Sequence, residues 1–115
     1  MIQVIGTKKC KITQKALRFF RERSVEVQFL DVTVRPLAPA EVDNCARALG
    51  GVSALLDKTG AHWRDRGMDY LDCNEREELL ADMSLLLTPL IRNGKTACIG
   101  NDEAAWKKLV EGQKA

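Results

Sequence analysis

The sequence predicts an α/β fold in which a βαβ half and a ββα half flank a helical insertion. Three observations carry that expectation. A short β-branched run, "IQVI", ends at Gly6 and is followed by apolar residues at helical spacing. A second, alternating run, "VEVQFLDV", comes after that helix. Near the other end, "TPLIRNGKTACIG" places two apolar runs around Asn93 and Gly94, ahead of a final amphipathic segment.

Each element follows from its residues. Ile2 to Ile5 reads as a buried strand stopped by Gly6. Ile12, Ala16, Phe19 and Phe20 recur at helical spacing, so a helix is expected from Cys10 to about Arg23. Val25, Val27 and Phe29 alternate with Glu26 and Gln28, which gives a second strand. A crossover helix separates it from the first, so the two should lie parallel. Residues 40 to 86 read as mostly helical. Val42, Cys45, Ala46 and Leu49 share one face before Gly50 stops that helix. "SALLDKTGAHWRDRGM" is weakly patterned and expected to form short turns, and Asn74 heads "EREELLADM" as a cap with acids in the first turn.

A type I′ turn at Asn93-Gly94 would pair Arg92 with Lys95, Ile91 with Thr96, Leu90 with Ala97 and Pro89 with Cys98. The last helix, "NDEAAWKKLVEG", is capped by Asn101 or Asp102. This order is that of a thioredoxin-like fold with a helical insertion at about 37–86. In that arrangement the first βα turn and the proline heading the third strand are adjacent, so Cys10 and Pro89 are expected neighbours.

A chain of 115 residues with 45% hydrophobic content suits one domain, 1–115. No apolar run approaches the roughly 20 residues of a membrane helix, and the N-terminus lacks a secretory signal, so a soluble, cytoplasmic monomer without membrane partners is expected. Four cysteines, Cys10, Cys45, Cys73 and Cys98, are too scattered for a disulfide framework or a zinc ligand set. Reduced thiols and no metal are the expectation. A net charge of +2 gives no reason to expect nucleic acid. Locally, Lys8, Lys9, Lys11, Lys15, Arg18, Arg21 and Arg23 face only Glu22, which puts a positive field on the first helix.

That field bears on Cys10. A thiol at a helix N-terminus beside lysines ionises more readily, because amide N–H groups and cations favour the thiolate. Thr13, three residues on, can offer its hydroxyl to the sulfur. The second thiol of a Cys-x-x-Cys pair is missing, so Cys10 reads as a monothiol nucleophile resolved by an external thiol such as glutathione. The competing reading is an unreactive residue at a helix start. Cys45 belongs to an apolar helix face, Cys73 sits in a polar loop with nothing to activate it, and Cys98 faces the same way as Pro89 and is a candidate resolving thiol. Glutathione contacts are expected from Lys9 and Lys11 beside the sulfur, from the backbone at Thr88 and Pro89, and from the helix start at Asn101 and Asp102. His62 and Trp63 read as a surface histidine beside a packed tryptophan.

The segments "CKITQKALRFF", "LLDKTGAHWR", "TPLIRNGK" and "IGNDEAAW" resemble, in order, the ArsC/Spx family of glutaredoxin-like proteins. The similarity is greatest to its small YffB-type members and runs from Ile2 to Val110. It implies a thioredoxin fold with a helical insertion, a reactive thiol at Cys10 and a cis peptide at Thr88-Pro89. "IGND" looks like the Gly-Asp turn that glutaredoxins use for the γ-glutamyl end of glutathione, although Asp102 serves equally as a simple helix cap. The arsenate reductase branch implies three arginines for an oxyanion, yet Asp57, Thr88 and Ile99 stand at those positions. Arsenate reduction is therefore not expected. Lys58, Arg64 and Arg66 offer a replacement cationic wall or simply a solvated loop. The Spx branch implies the alternative of a non-catalytic module docking on a protein such as RNA polymerase, though the missing second cysteine argues against a disulfide switch.

Overall fold

In the computed structural model, which describes residues 2–68, 74–94 and 96–114, four strands form one mixed sheet. They are β1 (Ile2–Gly6), β2 (Val27–Asp31), β3 (Leu90–Asn93) and β4 (Thr96–Ile99), in the order β2-β1-β3-β4. β1 runs parallel to β2 with Ile2 opposite Val27, and β3 lies antiparallel to both β1 and β4. Helix α1 (Lys11–Glu22) makes the crossover between the parallel strands. Between β2 and β3 come α2 (Pro39–Leu49), α3 (Ala61–Asp65) and α4 (Glu75–Ala81), and α5 (Glu103–Lys114) closes the chain. The order is the one the sequence implies.

The pleat divides the core in two. Ile2, Val4, Ile91 and Cys98 point to one side, where they meet Ala16, Phe19 and Phe20 of α1 and Trp106 and Leu109 of α5. Ile5 and Leu90 point to the other side, against Val42 and Cys45 of α2 and Leu55, Trp63, Leu79 and Leu85 of the insertion. Period-two alternation in β1 thus serves two hydrophobic layers. The insertion itself is held by an isolated antiparallel bridge between Leu56 and Leu86, with the Asp57 amide donating to the Leu85 carbonyl at 2.9 Å. α2 ends at Gly50, whose φ of 91° lies in the left-handed region that favours glycine. Asn74 accepts the Glu77 amide as the cap of α4, and the 3₁₀ turn Val52–Leu55 and the short α3 occupy the weakly patterned stretch.

Two expectations are corrected. β2 begins at Val27 rather than Val25, because Ser24 takes a φ of 58° and the Val25 amide closes back on the Phe20 carbonyl at 3.0 Å. The hairpin is slid by two residues: Asn93 pairs with Thr96, Arg92 with Ala97, Ile91 with Cys98 and Leu90 with Ile99. This register sets apolar residues opposite one another, Ile91 with Cys98 and Leu90 with Ile99, whereas a turn centred on Asn93-Gly94 opposes Ile91 to Thr96 and leaves Ile99 unpaired. Gly94, with a φ of 62°, becomes the first turn residue, as a Gly-X turn requires. Tyr70, Cys73 and Lys95 lie outside the described residues.

Candidate active site

Cys10 is the residue immediately before α1, in extended conformation, at the close of the turn that follows β1. Its amide donates to the Thr7 carbonyl at 3.2 Å, and Gln14 fastens the same turn by donating from Nε2 to the Lys8 carbonyl at 3.2 Å. The Thr88 hydroxyl donates to Cys10 Sγ at 3.0 Å, and the Thr88 carbonyl lies 3.7 Å from the same sulfur. The Thr88-Pro89 peptide is cis. Thr13 is wholly buried under the turn, and its hydroxyl has no partner of ordinary hydrogen-bond geometry among the described residues. The ionised sulfur of Cys10 is the acceptor to which that hydroxyl can turn. Thr13 occupies the space beside Gly6, where a Cβ would collide with the Thr13 hydroxyl, so β1 must end in glycine for the threonine to fit.

Burial pushes the Cys10 thiol up, and the donors around the sulfur, which are the Thr13 hydroxyl once turned to it, the bonded Thr88 hydroxyl and the Thr13 and Ile12 amides, more than offset it and leave the pKa lowered. The sequence reading expects the helix-start amides, the Thr13 hydroxyl and the lysines to do this, and the first two are among the causes. Lys8, Lys9 and Lys11 are instead exposed, where water and salt screen their charge, and the groups touching the sulfur are uncharged donors. Replacing Thr88 by valine removes one of them at nearly constant shape. Iodoacetamide at neutral pH should then alkylate Cys10 about fivefold more slowly, on the scale of a partly exposed hydrogen bond to a charged group. An unchanged rate would exclude Thr88 as a thiolate donor.

The other expected site residues are placed unevenly. Lys15 of α1 donates to Asn101 Oδ1 at 3.2 Å and pairs with Glu103 at 3.0 Å, which commits the Asn101 carboxamide and ties the first helix to the start of the last. Asp102 Oδ1 accepts the Ala105 amide at 3.1 Å, so Asp102 caps α5. Cys98 is removed from the site by the hairpin slide. It pairs with Ile91, three residues and roughly 10 Å of strand beyond Thr88. Burial pushes its thiol up to about 11, which disfavours the attacking thiolate. Cys45 is likewise buried, and burial raises its pKa. Of the cations considered for an oxyanion wall, Lys58 pairs with Glu75 at 3.2 Å, and Arg66 pairs with Glu78 and Asp82. His62 is exposed, with Nε2 2.7 Å from Asp82, and Trp63 is buried.

Beside Cys10 an open cleft of about 550 Å³ runs between the β2–α2 connection and the insertion. Thr7 and Thr88, both hydrogen-bonded to Cys10, are among its lining residues. No lysine or arginine lines it among the described residues, while Asp57 and Asp82 do. No group of three or more His, Cys, Asp or Glu side chains among them is placed to hold a metal ion. Sequence reasoning missed two contributors, the Thr88 hydroxyl and Gly6; the signal available for the second was a glycine closing a buried strand one turn ahead of the cysteine.

A mixed sheet of this order, with a cysteine at the first βα turn facing a cis-proline, defines the thioredoxin-like fold with a helical insertion. Comparison with solved structures agrees. The YffB protein superposes with a TM-score of 0.85 at 20% identity, over 96% of this chain and 99% of that one. An arsenate reductase from Vibrio cholerae gives 0.80 at 12% identity, over 93% and 95%. An arsenate reductase (ArsC) related protein from Brucella melitensis gives 0.72 at 20% identity, over 93% and 92%. At these identities the shared property is the fold. No family profile matches the chain. No curated protein sequence matches it either.

Proposed function

We propose that the chain is an ArsC/Spx-type thiol–disulfide oxidoreductase in which Cys10 is the nucleophile and glutathione, or a similar small thiol, resolves the intermediate. The observation that carries this is the Thr88 hydroxyl donating to Cys10 Sγ at 3.0 Å in a site that lowers the thiol pKa. The Cys10 thiolate attacks one sulfur of a disulfide; the bond between the two sulfurs breaks, and the other sulfur leaves as a thiolate. A glutathione thiolate then attacks the substrate-derived sulfur of the mixed disulfide and regenerates the Cys10 thiolate. The net of the two exchanges is one substrate sulfur released as a thiolate and the other carried off as a mixed disulfide with glutathione; where that second sulfur is itself glutathione's, the products are the free substrate thiol and oxidised glutathione. The monothiol route is favoured because the other cysteines among the described residues, Cys45 and Cys98, are buried and both thiols are pushed up. A reducing, cytoplasmic setting suits such chemistry.

Arsenate is not the substrate in this reading. A tetrahedral anion held against a thiolate needs cations, and Asp57 lines the cleft while Lys58 and Arg66 serve acids of the insertion. Assayed with arsenate, glutathione and glutaredoxin, the protein should show no turnover above a Cys10→Ser control. Oxidised glutathione should add one glutathione to the protein, located at Cys10 by peptide mass spectrometry and removed by excess reduced glutathione. A second reading, a regulatory module that docks on a protein such as RNA polymerase, draws on Val34, a large apolar side chain 80% exposed in the β2–α2 connection. Resistance of Cys10 to glutathione addition would move the balance to that reading.

A further inference from the structure

We propose that Asp57 makes the cleft beside Cys10 selective for sulfur compounds carrying a cationic substituent, an inference that rests on Cys10 being the nucleophile. Both charged residues lining the cleft are acids. Asp82 is partnered, with His62 Nε2 at 2.7 Å and Arg66 at 3.2 Å, a guanidinium it shares with Glu78. Among the described residues Asp57 has no ion-pair partner, and there its carboxylate accepts only the Thr59 hydroxyl, at 3.3 Å. Lys58, next in sequence, is turned away to Ser53 and Glu75.

The backbone that carries the carboxylate is anchored as well. The Asp57 amide is fixed to the Leu85 carbonyl, and the side chain lies over Gly60, where an added Cβ would come within 2.6 Å of Oδ2. Further along the wall, Thr33 bonds the Asp31 carboxylate through its hydroxyl and amide, at 2.6 and 2.9 Å; Asp31 is not itself a lining residue, and its charge is partly offset by Lys8. Lys8, Lys9 and Lys11 do not line the cleft. A disulfide entering to meet Cys10 therefore places its substituent in the field of a carboxylate with no ion-pair partner among the described residues. An ammonium or guanidinium there is attracted and a carboxylate repelled, while the glutathione contacts expected at Lys9, Lys11, Asn101 and Asp102 lie outside this lining. Attack moves negative charge onto the leaving sulfur whatever the substituent, so Asp57 changes the preference among substrates and not the chemical step.

Three methanethiosulfonates test this, with trimethylammonioethyl, methyl and sulfonatoethyl groups on the sulfenyl sulfur. Each reacts with the Cys10 thiolate to form a disulfide and expel methanesulfinate with the bonding pair, so no further oxidant or reductant is needed. Rates are followed at Cys10 by peptide mass spectrometry and divided by that of the methyl reagent, which cancels differences in thiolate fraction. Asp57→Asn should lower the cationic-to-anionic rate ratio about threefold to tenfold. High salt should shrink the difference between wild type and variant. A ratio unchanged in Asp57→Asn overturns the proposal, as does equal slowing of all three reagents, which would mark a packing role. Should none of the reagents modify Cys10 in the folded protein while all do so in urea, the thiol reading falls and this proposal falls with it.

Discussion

Cys10→Ser will abolish thiol–disulfide exchange, taking the rate with a neutral disulfide such as hydroxyethyl disulfide to the uncatalysed background. The reason is chemical. The thiolate is the attacking species, and the Thr13 and Thr88 hydroxyls that support it would be left donating to a hydroxyl that stays neutral at any working pH. The fold should tolerate the change, since Cys10 is half-buried and its amide bond to Thr7 belongs to the backbone. Circular dichroism and the urea midpoint should match wild type. Cys45→Ser should retain the exchange, because Cys45 sits on the opposite sheet face among Val42, Leu55 and Leu90. Comparable exchange by Cys10→Ser would transfer the nucleophile to another thiol.

The largest effect on stability is expected at Trp106. This side chain is fully buried, stacks edge-on against Phe19 with ring centroids 5.4 Å apart, and joins α5 to α1 across the sheet face formed by Ile2, Val4 and Ile91. Trp106→Ala should destabilise the chain by about 3–5 kcal/mol, the range for truncating a buried aromatic, read as a lower urea midpoint at unchanged slope. Trp106→Phe should cost far less. The indole N–H is buried without a partner among the described residues, so its removal forfeits no hydrogen bond. If Trp106→Phe were as damaging as Trp106→Ala, an interaction of the indole nitrogen would have to account for it.

Periodicity made most of the architecture legible. Alternation in β1 and helical spacing in α1 state which face each residue buries, and the crossover rule then fixes the parallel pair. The hairpin register was not legible from its turn. Asn93-Gly94 is a strong local signal, but the pairing is decided by which residues Ile91 and Leu90 meet across the strand, and that depends on the two core layers. The same slide withdraws Cys98 from the site. At Cys10, position before a helix and the approach of Thr13 could be read from spacing, and the cis peptide came from the family resemblance. The Thr88 hydroxyl could not, since it reaches the sulfur from 78 residues away. Charge was the misleading cue: the lysines around Cys10 are conspicuous in sequence, yet none of them contributes to the lowered pKa, which rests on the expected amides and Thr13 hydroxyl together with the Thr88 hydroxyl. The acidic character of the cleft follows from how Lys58 and Arg66 are spent inside the insertion, which only the assembled structure reveals.

The most direct test of Cys10 as a stabilised thiolate is the pH dependence of its alkylation by iodoacetamide, with the urea-unfolded chain as the internal reference. Hydrogen bonds to the sulfur favour the anion, so the folded protein should reach half-maximal rate at a lower pH than the unfolded chain, and Thr13→Val and Thr88→Val should each shift the folded curve back upward. A folded midpoint equal to or above the unfolded one would contradict the account, because burial would then outweigh the donors and Cys10 would be an ordinary thiol at a helix start.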